Sequence, residues 1–455
     1  GGCGGFNTGM LAVECGLGRE EHQSRRKAGG PEAPREGGEG SKSTDLLAEP
    51  RDSVAWGADA RKGMHLPEFI WLVDDDVDLP EDALARLLEA ADSDERIALV
   101  GSRTCDLADR GRTIESTIYL DADRGVMTDD PPASHRLHES HRAWVQTVGS
   151  AKGGSGYRGV REVDVVSACS MLARWRAVEE VGFWDKRFFI YCDDADWCLR
   201  MARAGWRVVL NLDAVVYHTP WHQKLTPARA YYAQRNLLWM LAKLTPASEA
   251  RRLVRARLEA LFEEARVHAL AGRIDHALVL VRACEDASAE VGGAVDLGAR
   301  ETGTLAEVMG RSRRKRAVVM VNRAAHWAEA KRVREAAPGV RWIECVRNDV
   351  PRAHEPGSEG AARIVYALRG RSLVRRALGL WVRPPGVMVQ FDRESRLPVL
   401  RHRWALHVRS GDEGEIERGG VRRWAAFSRR LRRARRRCLA WADRLRPGPA
   451  EDRFG

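Results

Sequence analysis

The stretch Phe69-Ile70-Trp71-Leu72-Val73, followed at once by Asp74-Asp75-Asp76, decides how this sequence folds. Five apolar residues bounded by polar sequence predict a short buried strand. Carboxylates just beyond a strand's carboxyl end lie where ligands bind in open α/β sheets. On extended backbone, alternate side chains point the same way, so Asp74 and Asp76 can share one hard divalent cation. An acidic turn capping the next helix is the competing reading.

Working outward, Leu79-Pro80-Glu81-Asp82 opens a helix through Ala91, since proline and acids suit a first turn. Ile97 to Val100 is a second strand candidate, and Asp121 to Tyr157 reads as polar and loop-like. Val163 to Ala173 is apolar and β-branched at first, and Trp175 to Val181 is helical. Asp193 to Ala204 forms an amphipathic helix ended by Gly205. Arg207 to Leu212 and Ala214 to Tyr217 read as two strands. Such alternation predicts an α/β layered domain. After Pro227 the pattern is helical to about Ala289. A smaller α/β unit then carries strands at Ala317–Val321, Trp342–Val346 and Val387–Phe391.

The chain has 455 residues, of which 44% are hydrophobic and 31% charged, which favours a globular protein over a disordered one. Arginine outnumbers lysine 66 to nine and the formal net charge is +11. That balance permits anionic partners and selects none. Nine scattered cysteines with no Cys-x-x-Cys pair suit a reducing cytoplasm. No apolar stretch approaches the ~18–20 residues of a membrane span. Residues 15–62 are rich in Gly, Glu, Arg, Ser and Pro and read as a disordered insertion.

Three further features carry chemistry. Asp193-Asp194 follows the aromatic run Phe188-Phe189-Ile190-Tyr191 at a helix start, where a carboxylate can act as general base or simply cap the helix. His218, in Tyr217-His218-Thr219-Pro220-Trp221-His222 after a strand, is a possible third metal ligand or a structural histidine. Tyr231-Tyr232-Ala233-Gln234-Arg235-Asn236 offers rings for stacking and, in Arg235, a fork for phosphate, or merely core and surface charge.

Together these features resemble the family 2 glycosyltransferases of the GT-A fold, closest to the rhamnosyl- and galactofuranosyltransferase branch. Gly1-Gly2-Cys3-Gly4-Gly5-Phe6-Asn7 resembles that branch's glycine-rich loop. Trp71 to Asp76 resembles its metal motif, and Gly182-Phe183-Trp184-Asp185-Lys186-Arg187-Phe188-Phe189-Ile190-Tyr191 the run before its catalytic acids.

The resemblance implies an α/β, Rossmann-like fold with a mixed sheet and flanking helices, its first strand–helix–strand expected upstream of Gly1. It implies an inverting transfer from a UDP- or dTDP-sugar to a glycan or lipid-linked glycan in cell-envelope polysaccharide synthesis. Asp74, Asp76 and His218 would hold Mn²⁺ or Mg²⁺. Asp194 would be the general base, with Asp193 beside it at the acceptor. Gly5, Asn7 and Asp75 would face the donor, and Trp197, Trp221, His222 and Arg235 the acceptor or phosphate. A binding protein without turnover and a glycoside hydrolase are the alternatives.

The expected domains are 1–240 for transfer, 241–310 helical, 311–417 small α/β, and 418–455 a basic amphipathic helix and tail. In that helix Trp424, Phe427, Leu431, Ala434, Cys438 and Trp441 form an apolar stripe among arginines. The pattern suits peripheral contact with anionic lipid at the inner face of the membrane, or packing of the stripe on the protein's own core. No nucleic-acid motif is present.

Overall fold

The computed structural model describes residues 67–220, 226–245, 247–298, 300–351, 362–366, 385–392, 402–410 and 413–445. The Gly1–Gly5 loop with Asn7, the 15–62 segment, Trp221 and His222 lie outside the described residues.

The apolar run forms β1 (Phe69–Val73), followed by α1 (Ala83–Asp92), β2 (Ile97–Asp106), β3 (Thr113–Glu115), β4 (Tyr119–Asp121) and β5 (Val126–Thr128). Then come α2 (His138–Val148), β6 (Val160–Glu162), β7 (Ser170–Arg174), α3 (Trp175–Val181), α4 (Asp193–Arg203) and β8 (Arg207–His218). The first sheet has the order β1-β7-β2-β8-β6, with β3 paired to β2. β1 and β2 both run antiparallel to β7, and β2 runs parallel to β8. The carboxyl ends of β1, β2 and β8 therefore share one edge. All ten residues of β2 are buried, as a central strand covered on both faces requires.

Two local expectations change. The polar stretch before Tyr157 contains α2, whose inward face is only Leu137, His141, Trp144 and Val148. Polar residues dilute that stripe, which obscures its period in the sequence. The two strands expected at 207–217 are one strand with a bulge where the break was read: Ser102 pairs Asn211, yet Arg103 pairs Val215. The Leu212 carbonyl leaves the ladder and accepts from Arg103 Nε at 2.8 Å.

Helices α5 (Pro227–Leu244), α6 (Ala247–Leu270) and α7 (Ile274–Ser288) follow. Thr226 caps α5 by accepting from the Arg229 amide, with Pro227 at the first helical position. The remaining elements are β9 (Thr302–Thr304), α8 (Leu305–Arg311), β10 (Arg316–Val321), α9 (His326–Glu335), β11 (Arg341–Arg347), β12 (Ala362–Tyr366), β13 (Val387–Gln390), β14 (Trp404–Ser410), β15 (Glu413–Arg418) and α10 (Val421–Asp443). The second sheet has the order β12-β11-β10-β13-β14-β15-β9 and is parallel from β12 through β14.

Helix α10 returns to the first core. Phe427, Ala434, Cys438, Trp441 and Ala442 are buried in the cluster that also holds Leu258, Leu261, Val281 and Cys284 of α6 and α7. The apolar stripe is thus occupied by the protein itself: of the two readings that the pattern allows, packing on the protein's own core is the one the structure shows. Turning it outward would expose two large aromatic side chains at about 1.5–3 kcal/mol each. Along its flanks Arg423 pairs with Asp275, Arg430 with Glu285 at 2.6 Å, and Asp443 with Arg255 at 2.9 Å. Among the described residues no helix is long and apolar enough to cross a membrane.

Candidate active site

The end of β1 is held in place by backbone. The Asp74 amide donates to the Cys169 carbonyl at 3.2 Å. Asp78 and Tyr217 exchange amide–carbonyl hydrogen bonds at 2.9 and 3.0 Å, an antiparallel bridge joining the acidic turn to the end of β8. Arg110 pairs with Asp78 and lies 4.4 Å over the Tyr217 ring, clamping the bridge from outside.

This bridge delivers His218 to the carboxylates. Its Nε2 is 3.0 Å from Asp76 Oδ1 and 3.8 Å from Asp74 Oδ2. The three ligand atoms lie within 4.8 Å of one another, and the group is partly open to solvent. Two carboxylates and an imidazole form a donor set that suits a divalent cation of the Mn²⁺ kind. Asp75 is exposed on the turn between the two ligands.

The second group sits at the start of α4. Phe189, Tyr191 and Cys192 all have positive φ, at 69°, 68° and 59°, which non-glycine residues adopt only when surrounding structure enforces it. Asn236 does much of the enforcing: its Nδ2 lies 2.9, 2.8 and 2.8 Å from the carbonyls of Phe188, Ile190 and Tyr191. Arg235 is fully buried, and its guanidinium donates to the carbonyls of Phe188, Arg187, Val291 and Gly293.

That arrangement corrects the expectation of a phosphate-binding Arg235. Its donors are spent on backbone carbonyls and on the Asn236 side chain, and they shape the loop that presents Asp193 and Asp194. Trp197 is corrected likewise. It is 1% exposed, its indole N–H donates to the Gly182 carbonyl at 2.8 Å, and its ring packs on Phe183 and Trp184. It has no free face for an acceptor.

Asp194 accepts from the Ala195 amide at 2.7 Å and from the Ala168 amide at 3.4 Å. Burial pushes both Asp193 and Asp194 above the usual carboxylate range, and for Asp193 the neighbouring Asp194 charge adds to it. A nearby buried network behaves oppositely. Burial opposes ionisation of Asp185, but hydrogen bonds from Arg187 and the Lys243 charge outweigh it and hold that carboxyl well below the usual range. Asp185 anchors the run before Phe188, whereas Asp194 is left able to take a proton.

Segment 168–169 joins the two groups. Cys169 holds Asp74 through its carbonyl, and Ala168 holds Asp194 through its amide. The group of Asp74, Asp76 and His218 and the carboxylate pair therefore flank one short piece of chain. Sequence reasoning missed Arg229, whose Nη1 lies 3.4 Å from the Tyr191 hydroxyl, itself in the field of Asp74. It lies on α5 six residues before Arg235, and its only signal was the Thr-Pro start of that helix. Glu115 on β3 was missed as well, since nothing around it forms a pattern.

With this geometry in hand, the comparison with known families is specific. Residues 32–242 match the family model described as Glycosyltransferase like family 2. No curated protein matches the chain. The matched span holds β1 through most of α5, both carboxylate groups and the segment joining them. The mixed α/β sheet with flanking helices has the GT-A form, and residues 32–242 make this protein a glycosyltransferase carrying a family 2-like domain.

Proposed function

We propose that this glycosyltransferase moves a sugar from a UDP- or dTDP-linked donor to a hydroxyl of a glycan or lipid-linked glycan by a metal-dependent, inverting displacement. Rhamnose and galactofuranose are the donor sugars that the sequence resemblance favours, and cell-envelope polysaccharide the product class. The observation that carries the reading is the convergence of Asp74, Asp76 and His218 with Asp193 and Asp194 about residues 168–169.

In this reading Asp74, Asp76 and His218 would hold Mn²⁺ or Mg²⁺, which when bound offsets charge on the leaving diphosphate. Asp75, on the exposed turn, faces the donor. Arg229 adds a fixed positive charge on the side of Tyr191. Asp194 takes the proton of the attacking hydroxyl, and its raised affinity for a proton makes it a better base than a solvated carboxylate. Asp193 helps hold the acceptor. Gly5, Asn7, Trp221 and His222 keep the donor and acceptor roles that the resemblance implies.

The test is release of UDP or dTDP from a panel of nucleotide sugars, with and without EDTA, in the wild type and Asp194→Asn. Metal-dependent release lost in the variant is expected. EDTA-insensitive turnover would instead favour a glycosidase, which uses two carboxyls and no metal.

A peripheral membrane role takes a different form from the one the sequence suggested. Arg422, Arg429, Arg432, Arg433, Arg436 and Arg437 are exposed on the outer face of α10, and no acidic partner is found for them among the described residues. Supporting lipid contact is this cationic ridge, which suits adsorption to anionic headgroups without insertion.

A further inference from the structure

Asp275, Leu278, Val279 and Arg282 recur at three- and four-residue steps, so they share one face of α7. The opposite face, with Ala277, Leu280, Val281 and Cys284, is packed in the first core. Glu415 and Glu417 alternate on β15 and point the same way. The helix face and the strand face enclose a groove of about 430 Å³, to which α10 adds Arg423 and Arg430. Small-molecule sites commonly measure ~300–1,000 Å³.

The groove continues toward the first sheet. Val279, Leu297, Arg300 and Glu415 also line a smaller cavity of about 180 Å³, whose other walls include Thr226, Pro227 and Ala228 at the start of α5. The next residue, Arg229, lies 3.4 Å from the Tyr191 hydroxyl. Val279 and Leu297 pack on the same buried rings, Tyr231 and Tyr232, as do Phe189, Ile190 and Tyr191 of the loop before Asp193. One open path therefore joins the second sheet to the loop that presents the acid pair. Apart from the start of α5, its walls lie beyond the residues 32–242 that match the family model.

The charges along this path come in pairs. Arg300 Nη1 is 3.1 Å from Glu415 Oε2, Arg423 pairs with Asp275, and His407 Nε2 is 3.1 Å from Glu417 Oε2. A phosphate entering here would meet carboxylates, and a cation would meet guanidinium groups, so neither is favoured. A guanidinium only donates hydrogen bonds and a carboxylate only accepts them, whereas a hydroxyl does both. A neutral ligand with many hydroxyls matches such paired walls.

We propose that the groove between α7 and β15 is a second glycan-binding site, which holds the part of the acceptor remote from its attacking hydroxyl, so that the chain selects oligosaccharide acceptors over single sugars. This rests on the transferase reading above and deepens it. No bond is made or broken in the groove.

The experiment uses the full chain with Mn²⁺ and the UDP- or dTDP-sugar it consumes. Octyl rhamnoside and octyl galactofuranoside, and the tetrasaccharides that extend each with the same sugar, are the acceptor probes. In the wild type the KM for a tetrasaccharide should be lower by about 10-fold or more, the gain from added hydrogen bonds to charged groups. Two variants alter the groove. Arg282→Ala removes a half-buried donor, and its partner Asp286 keeps the Tyr231 hydroxyl at 2.6 Å. Leu278→Trp narrows the space. Each should raise the tetrasaccharide KM about 10-fold and leave kcat and the KM of the single sugar unchanged.

Melting temperature reports whether each variant is folded, and if one is misfolded the other must give the effect. Equal KM for short and long acceptors in the wild type, or an equal penalty on both in a folded variant, overturns the proposal and leaves the transferase reading standing. If the wild type releases no nucleotide with any donor and acceptor, the transferase reading falls. Calorimetric titration with the same tetrasaccharides then tests the groove alone. Binding weakened by Leu278→Trp supports it, whereas no binding, or displacement of the tetrasaccharide by pyrophosphate, overturns it.

Discussion

Each of the two sheets carries a carboxylate and a histidine beyond the carboxyl ends of its strands, yet the two clusters differ. In the first, Asp74, Asp76 and His218 are partly open, and Asp193, Asp194 and Glu115 add acidic groups nearby. In the second, Asp392 follows β13 and meets Asn322 and His326 beside β10, with Asn322 Nδ2 at 2.7 Å, His326 Nε2 at 3.5 Å and Arg323 Nε at 3.8 Å. Asn322 and His326 are buried, and the one acid faces a cation and two polar groups. Position at a strand end is common to both. Excess acid with access to solvent belongs to the first alone, and that combination is what a cation and a hydroxylated ligand require.

The sharpest way to break the comparison is to remove one carboxylate from each cluster. Asp194→Asn should lower turnover by about 10²–10⁴-fold, as loss of a general base does, with little change in melting. Asp392→Asn should leave turnover intact and cost about 1–3 kcal/mol of stability, since it weakens a buried hydrogen-bonded group. Nucleotide release and thermal denaturation of both variants check this. Equal effects on rate would erase the distinction.

A second prediction concerns how the acid pair is held. Asn236→Ala leaves three carbonyls of a left-handed turn without their donor, so stability should fall by roughly 2–4 kcal/mol and kcat with it. Asn322→Ala should affect melting only. The measurement is a pair of denaturation curves beside kcat for each variant.

The pH dependence sharpens the comparison further. Asp193, Glu115 and Glu417 are each pushed up to about 7, mainly by burial, from ordinary values of 3.8 to 4.5. A raised folded-state pKa favours the folded chain fully below the ordinary value, and the advantage is lost as pH rises to about 7. Melting temperature should therefore decline from pH 5 to 7.5. Turnover should rise with pH, and later than for an ordinary carboxylate, because Asp194, which burial holds above the usual range, must be ionised to accept a proton. Glu417→Gln, in the second sheet, should flatten the stability slope and leave the rate profile alone.

The smallest effect on turnover is expected at α10. Replacing Arg429, Arg433, Arg436 and Arg437 by alanine should weaken co-sedimentation with anionic vesicles by about 1 kcal/mol per residue and leave transfer to a soluble glycoside unchanged. Binding that is equal on neutral vesicles would count against the cationic ridge.

What was legible in the sequence is what local chemistry dictates. Five apolar residues before three acids specify a buried strand with ligands at its end, and β1 with Asp74 and Asp76 is that element. The amphipathic α4 with its acidic first turn follows from its period, and the helical run after Pro227 from its Thr-Pro cap. Tertiary structure decided whatever depends on which surface each side faces. Arg235 and Trp197 have the composition of a binding site, but the groups that surround them are backbone carbonyls and other rings. The stripe of α10 has the pattern of a lipid-facing helix, but α6 and α7 present a matching apolar surface at no cost in transfer to another phase. Glu115 shows the converse: alone in a three-residue strand it has no pattern, and only the pairing of β3 with β2 sets it opposite Thr104. A period along the chain specifies that a face will be buried, and only the packed fold specifies against what.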